Sequence, residues 1–344
     1  MGRIVAVTNL KGGIGKTTTV VNLSAGLALK GARVLLIDVD AQGNLAMALG
    51  ARPKRTLYEV LVDGARAADC VTPLRTNLDL LAADESLLMA QPTIARRADW
   101  PRVLEQAIRP LRASYDFIFI DCGGSLTVLN LNALNAASDV VVPTTVEPFS
   151  LKGLDMLVAQ INRVKGSTSC LRAIVPTMFD PRLRQSQELL GQLQGRYGAL
   201  VTAPIRVNVR LSESSALGRT IYEFDPRSRG AVDYARLVEQ LSASWDFSAP
   251  RAAQVPAPQA QTLPAHGLPT PSLTPDGRPV VPDTPAASPA PAPAPVVTGS
   301  GNMLSLSCPN CGGPLHRATV AGYRVAYCDH CKYRRQELAA GGRR

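Results

Sequence analysis

At 344 residues, 46% of them apolar and 5% aromatic, the chain is long enough for one large core and further modules. No apolar run approaches the ~20 residues of a membrane-spanning helix, and Met1-Gly2-Arg3-Ile4 leads straight into a strand pattern, which reads as no signal peptide and a cytosolic chain. The formal net charge of +10 makes a polyanion such as nucleic acid a plausible partner, although excess arginine also serves solubility.

In chain order, residues 1–247 alternate short apolar strands with amphipathic segments. Strands are expected at Ile4–Thr8, Arg33–Asp38, Leu78–Ala82, Phe117–Asp121, Val140–Thr144, Ala173–Thr177 and Val201–Ile205. Helical spacing appears over Val20–Leu29, Trp100–Ser114, Leu151–Val164, Gln185–Arg196 and Ala231–Leu241. Several strands are apolar throughout, the pattern of strands buried on both faces. The alternation predicts an α/β fold: a doubly wound, mostly parallel sheet with helices on both faces, binding ligands at the carboxyl ends of its strands.

The first such end carries Lys11-Gly12-Gly13-Ile14-Gly15-Lys16-Thr17-Thr18, between a strand and a helix. Glycines let backbone N–H groups converge on phosphate, and the helix amino terminus adds its dipole. Lys16 is placed to reach the β- and γ-phosphates and the Thr17 hydroxyl to hold Mg²⁺. The loop departs from the usual phosphate-loop pattern, with Leu10 where a glycine is common and Lys11 as a second lysine.

The second motif is Asp38-Val39-Asp40-Ala41-Gln42-Gly43-Asn44, which sets two carboxylates two residues apart at a strand end. One suits Mg²⁺ and the other an attacking water, with helix capping the plain alternative for Asp40. The third is Phe117-Ile118-Phe119-Ile120-Asp121, a strand ending in the metal-side acid of phosphate-loop enzymes. Cys70, Cys122 and Cys170 sit beside apolar residues and read as buried reduced thiols.

From Ser248 the composition changes. Residues 250–295 hold fourteen of the 27 prolines, so 248–303 reads as a Pro/Ala-rich flexible linker. A small module is expected over 304–337, followed by a basic tail, 338–344. It carries Cys308-Pro309-Asn310-Cys311 and, sixteen residues later, Cys328-Asp329-His330-Cys331, a spacing that points to one structural Zn²⁺ in a β zinc ribbon. Two disulfides are the weaker alternative, and His316 and His330 are reserve ligands. Whether this basic module contacts DNA or protein stays open.

These motifs resemble the ParA/MinD group of deviant Walker-type ATPases, and within it the Soj-like chromosome-partitioning branch, over about residues 2–245. The branch-level likeness rests also on Asn208-Val209-Arg210-Leu211-Ser212-Glu213 and on Tyr222-Glu223-Phe224-Asp225-Pro226-Arg227-Ser228-Arg229-Gly230-Ala231. The resemblance implies weak intrinsic ATP hydrolysis by an ATP-dependent homodimer, with Lys11 reaching the partner subunit's nucleotide, Gly12 allowing close approach, and Lys16 and Asp40 catalytic. It implies Mg²⁺ at Thr17, Asp38 and Asp121, and adenine near Asn208. It further implies non-specific DNA binding, nucleoid association, a ParB-type partner and no membrane contact.

Residues 163–236 hold twelve Lys and Arg against six acids, and Arg210, Arg219, Arg227 and Arg229 lie in or beside the matching stretches as the leading DNA contacts. Two departures stand out: Cys122-Gly123-Gly124 replaces a common proline pair, and Ala41 a common proline. A MinD-like, cargo-positioning switch that does not act on DNA is the alternative; the Pro-rich linker and ribbon stand where that type carries an amphipathic membrane helix. A metabolic or metal-carrying ATPase is the third reading, disfavoured because Cys122 alone does not make a cluster site.

Overall fold

The computed structural model describes residues 2–248, 307–308, 311–320, 323–328, 330–331 and 334–338. The chain separates into two compact units, Met1–Ala260 and Gln261–Arg344. Beyond Ser248, the expected linker lies outside the described residues, as does nearly all of the expected basic tail.

The first unit is built on seven strands: β1 (Arg3–Val7), β2 (Val34–Asp38), β3 (Thr72–Arg75), β4 (Leu78–Leu81), β5 (Phe117–Asp121), β6 (Asp139–Thr145) and β7 (Leu171–Thr177). They lie in the order β3-β4-β2-β5-β1-β6-β7, parallel except for the β3–β4 pair. The expected doubly wound sheet is therefore present. Strand residues that read as continuous apolar runs divide by alternation between two cores. Ile4, Ala6, Leu35, Ile37, Ile118 and Ile120 join one, whereas Val5, Val7, Val34, Leu36, Phe117 and Phe119 join the other. Both faces exclude water, so the polar half of the usual period-two pattern is missing.

Helix α1 (Lys16–Leu29) is buried from Thr19 to Ala28, wedged between the sheet and helix Arg229–Ser244. Gly26 permits that approach: a Cβ there would stand 2.5 Å from Val238 Cγ2. Register decides the rest. Val7 and Asp38 both pair with Asp121, so β1, β2 and β5 finish level and their three following loops share one edge.

Two local expectations are corrected, and one strand is added. Trp100–Ser114 is one α-turn run, Val103–Ile108, flanked by 3₁₀ turns at Trp100–Arg102 and Arg109–Ala113, because Pro101 and Pro110 interrupt the helical hydrogen bonds. Val201–Ile205 is not a strand: Val201 forms an isolated parallel bridge with Ile174, and a second one falls just past the stretch, between Arg206 and Phe179. Thr202 N donates to Ile174 O and Ile205 N to Pro176 O, three residues against two, and Pro204 has no N–H to continue a ladder. β3 was not expected, since Thr72-Pro73-Leu74-Arg75 carries a proline and pairs only at the edge.

The second unit contains a three-stranded antiparallel sheet of β8 (His316–Val320), β9 (Tyr323–Tyr327) and β10 (Arg334–Leu338), with β9 central.

Candidate functional site at the carboxyl edge of the sheet

The loop from Leu10 to Gly15 leaves β1 and turns into α1 through Gly13 at φ 71° and Gly15 at φ 85°, left-handed conformations that glycine alone adopts cheaply. Gly12 and Gly13 have open space where a side chain would be, while Ile14 is buried and anchors the loop. Thr177, at the end of β7, donates its hydroxyl to Ile14 O at 2.8 Å and fixes the loop from the side. Lys16 is largely buried, its Nζ donating to Lys11 O at 2.8 Å across the loop's mouth. Burial pulls its pKa below the ordinary lysine value, against the opposing charges of Asp121 and Asp40. Thr18 faces a neighbouring pocket, and its carbonyl accepts from Asn22 Nδ2 at 2.9 Å.

Beside α1, Thr17 Oγ1 donates to Asp121 Oδ2 at 2.7 Å. Asp121 is 1% exposed, and its other oxygen, Oδ1, is buried with no hydrogen-bond donor among the described residues. Asp38 is fully buried and accepts the backbone N–H of Asp40 at 2.9 Å and of Leu45 at 3.0 Å. Burial pushes Asp38 up to about 7 despite those two hydrogen bonds. Asp121 is raised well above the carboxylate range by burial and then by the Asp38 charge. Two facing buried acids with an orphaned oxygen form a site short of positive charge, the donor set that a hard divalent cation requires.

Asp40 is half-buried in the loop after β2, its Oδ1 accepting from Gln42 N at 3.1 Å. The chain after β5 passes close to it. A Cβ on Gly123 would lie 3.3 Å from Asp40 Oδ2, and one on Gly124 3.2 Å from Gly12 N. Asn130 braces this loop, accepting from Gly123 N and donating to Gly123 O, both at 3.1 Å. Cys122 is buried, and burial pushes its thiol pKa up.

Lys11 points away from the loop it begins. Its Nζ pairs with Glu147 Oε2 at 2.5 Å and donates to Thr145 Oγ1 at 3.3 Å, at the end of β6. Asn208 lines a cavity of about 540 Å³ with Gly15, Thr18, Met178, Val207 and Leu211. Its Oδ1 caps helix Val209–Ala216 by accepting from Arg210 N at 2.9 Å, which leaves its amide nitrogen as the donor.

A family profile described as an AAA domain matches residues 2–172. The sporulation initiation inhibitor protein Soj of Bacillus subtilis is 38% identical over 256 residues, 71% of this chain and all of that one. The chromosome partitioning protein ParA of Caulobacter vibrioides is 36% identical over 249 residues, 70% of this chain and 93% of that one. The chain belongs to the ParA/MinD family of ATPases. A cobyrinic acid a,c-diamide synthase from Mycobacterium smegmatis, solved with bound ADP and magnesium, shares the family fold with a TM-score of 0.62 at 32% identity, covering 72% of this chain and 96% of that one.

Of the twelve cations in 163–236, several are engaged within the ParA/MinD fold itself. Arg172 pairs with Asp139, Arg196 with Asp155 and Arg206 with Asp233, while Lys165 Nζ donates to the Asn135 and Ala137 carbonyls. Arg210 pairs with Glu213 and Asp225 and lies over the Phe224 ring. Arg219, Arg227 and Arg229 are exposed and form no ion pair among the described residues.

Sequence reasoning did not find Glu147, Thr145, Thr177 or Asn130. All four act through the spatial closeness of separate loops, and the one available signal was the position of Thr177 at an expected strand end.

In the second unit the four sulfurs of Cys308, Cys311, Cys328 and Cys331 lie within 4.8 Å of one another. The Cys308–Cys331 and Cys311–Cys328 separations are 3.4 and 3.6 Å, too long for disulfides, whose S–S bond is about 2.0 Å. Thiolates on a tetrahedral zinc stand about 3.8 Å apart at a Zn–S length of about 2.3 Å, which this cluster fits.

Proposed function

We propose that this chain is a dimerising ATPase switch of chromosome or plasmid partitioning. It binds DNA without sequence preference when loaded with ATP and releases it after hydrolysis stimulated by a ParB-type protein. The observation that carries the reading is the convergence of Lys16, Thr17, Asp38 and Asp121 on one edge, with Lys11 standing outside it on Glu147. The names of the Bacillus and Caulobacter relatives support the partitioning role.

The loop 11–18 would cradle the phosphates with backbone N–H groups, Lys16 would pair with the β- and γ-oxygens, and the adenine would enter the cavity at Asn208. Thr17, Asp121 and Asp38 would hold Mg²⁺, which neutralises phosphate charge when bound. Asp40, half-buried beside the loop, would orient and deprotonate the attacking water. Lys11 would leave Glu147 and enter the site of a second copy, completing the charge of the transition state only in the dimer. While Lys11 rests on Glu147 the isolated subunit lacks that charge, which gives a physical ground for slow intrinsic turnover.

Arg219, Arg227 and Arg229, with Arg210 behind them, would neutralise DNA phosphates, which places the working protein in the cytoplasm on the nucleoid. Cys308, Cys311, Cys328 and Cys331 would hold Zn²⁺ as a closed structural site in the 304–337 module, joined to the 1–247 ATPase domain by the 248–303 linker, with 338–344 as a basic tail.

The deciding experiment follows fluorescence anisotropy of a labelled duplex of arbitrary sequence with ATP or ADP across a salt series, for the full chain and for residues 1–303. ATP-dependent binding that weakens steeply with salt supports the switch. Equal binding with ATP, ADP or no nucleotide would falsify it.

A further inference from the structure

The opposite end of the sheet carries a cavity of about 620 Å³ whose lining includes Arg3, Arg33, Arg112, Phe117, Trp245 and Phe247. Arg3 begins β1 and Arg33 directly precedes β2, so the cavity faces the amino ends of the strands. A five-residue strand, roughly 16 Å, separates it from the phosphate loop.

Its charge is incompletely matched. Arg3 spends Nη1 on Asp139 at 2.8 Å, and Arg33 spends Nε and Nη2 on Asp116 at 3.4 and 3.3 Å. Arg112 Nε is buried and finds no acceptor among the described residues. With Arg3 held by Asp139 and Arg33 by Asp116, Arg112 is the lining guanidinium that forms no ion pair among the described residues, and Asp246 is the remaining lining carboxylate. A buried donor without an acceptor is unfavourable, and an oxyanion entering here would supply one.

The far wall is aromatic. Phe117 lies 5.1 Å from the Trp245 ring and 5.2 Å, edge-on, from Phe247. Asp139, fully buried, ties the two walls together by accepting from Arg3, Arg172 and Trp245 Nε1. The cationic and flat surfaces are thus held in fixed relation.

We propose that this cavity is a second ligand site, for a phosphomonoester carried on a planar ring, the chemistry of a nucleoside monophosphate. The phosphate would bridge Arg112 and Arg33, whose planar forks match its oxygens, and the ring would lie against the half-buried Phe247, beside the buried Trp245. A dianion suits several guanidiniums better than a single carboxylate does, and the volume falls within the ~300–1,000 Å³ of small-molecule sites. The proposal stands apart from the ATP site and does not depend on it.

The chain has two tryptophans, so Trp100→Phe leaves Trp245 as the sole indole reporter in the full-length protein. Titration with GMP should quench its emission saturably, with guanosine and inorganic phosphate each binding more weakly by about tenfold or more. Arg112→Met should weaken GMP by a similar factor. Arg33→Met serves the same purpose should the first variant lose its circular-dichroism melt, and Lys16→Ala should leave the response intact. The proposal is overturned by the absence of saturable quenching, by guanosine binding as tightly as GMP, or by retention of full affinity in a folded arginine variant. Loss of the response in Lys16→Ala would equally overturn it by assigning the signal to the phosphate loop.

Discussion

The Thr17 hydroxyl reaches Asp121 across 2.7 Å, joining the first turn of α1 to the last residue of β5. That hydrogen bond serves one of Asp121's oxygens and leaves the other buried without a donor among the described residues. Asp121 and Asp38 both carry raised pKa values, Asp38 to about 7 against an ordinary 3.8, chiefly from burial. Between those values the folded chain holds more protons than the unfolded one, so stability falls as pH rises through the window. Thermal unfolding without nucleotide should therefore show a midpoint that drops from about pH 4 to about pH 7. Asp121→Asn should flatten that slope while abolishing Mg²⁺-dependent ATP affinity. A midpoint that rises steadily over the same range would count against the buried acid pair.

Among the described residues the Lys16 side chain makes one hydrogen bond, to the Lys11 carbonyl, so its removal costs the fold little. Lys16→Ala should weaken ATP by roughly a hundredfold or more, the loss of charged hydrogen bonds worth about 3 kcal/mol. Isothermal titration calorimetry measures this directly, and wild-type affinity would remove Lys16 from the phosphate site.

Among the described residues the Asp40 carboxylate accepts one hydrogen bond, from Gln42 N in its own turn. Asp40→Ala should retain ATP-dependent dimerisation in size-exclusion chromatography and lose about 10²-fold or more in turnover, as expected when a general base is deleted. Normal turnover in that variant would assign the water to another group.

The arginines differ in availability. Arg219→Ala, Arg227→Ala and Arg229→Ala should each lower DNA affinity and reduce the slope of log affinity against log salt by about 0.9 for each DNA phosphate no longer neutralised. Arg210→Ala should do less, because Arg210 is already held by Glu213 and Asp225. Unchanged salt slopes in all four variants would move the DNA surface elsewhere.

The cysteine cluster should bind about one zinc per chain, measured by plasma emission spectroscopy on the full-length protein. Cys308→Ser should release it, and full zinc content in that variant would place the metal elsewhere.

The sequence by itself determined the sheet, because apolar runs between helical segments can be buried only with helices on both faces. It also placed Lys16, Thr17, Asp38 and Asp121, since loop, helix start and strand end are local features with fixed neighbours. It set the paired cysteines as well, since C-x₂-C spacing brings two sulfurs together locally, while the fold of the second unit brings the two pairs to one place. Tertiary structure alone decided that Val201–Ile205 bridges rather than pairs, because a register of three residues against two is invisible in either segment. It decided that Lys11 rests on Glu147, that Gly123 crowds Asp40, and which arginines are consumed by internal acids. These depend on distances between segments far apart in the chain, which the order of side chains along one segment does not encode. The cavity between Arg112 and Trp245 belongs to the same class: its walls meet only where β1, β5 and the end of helix Arg229–Ser244 converge.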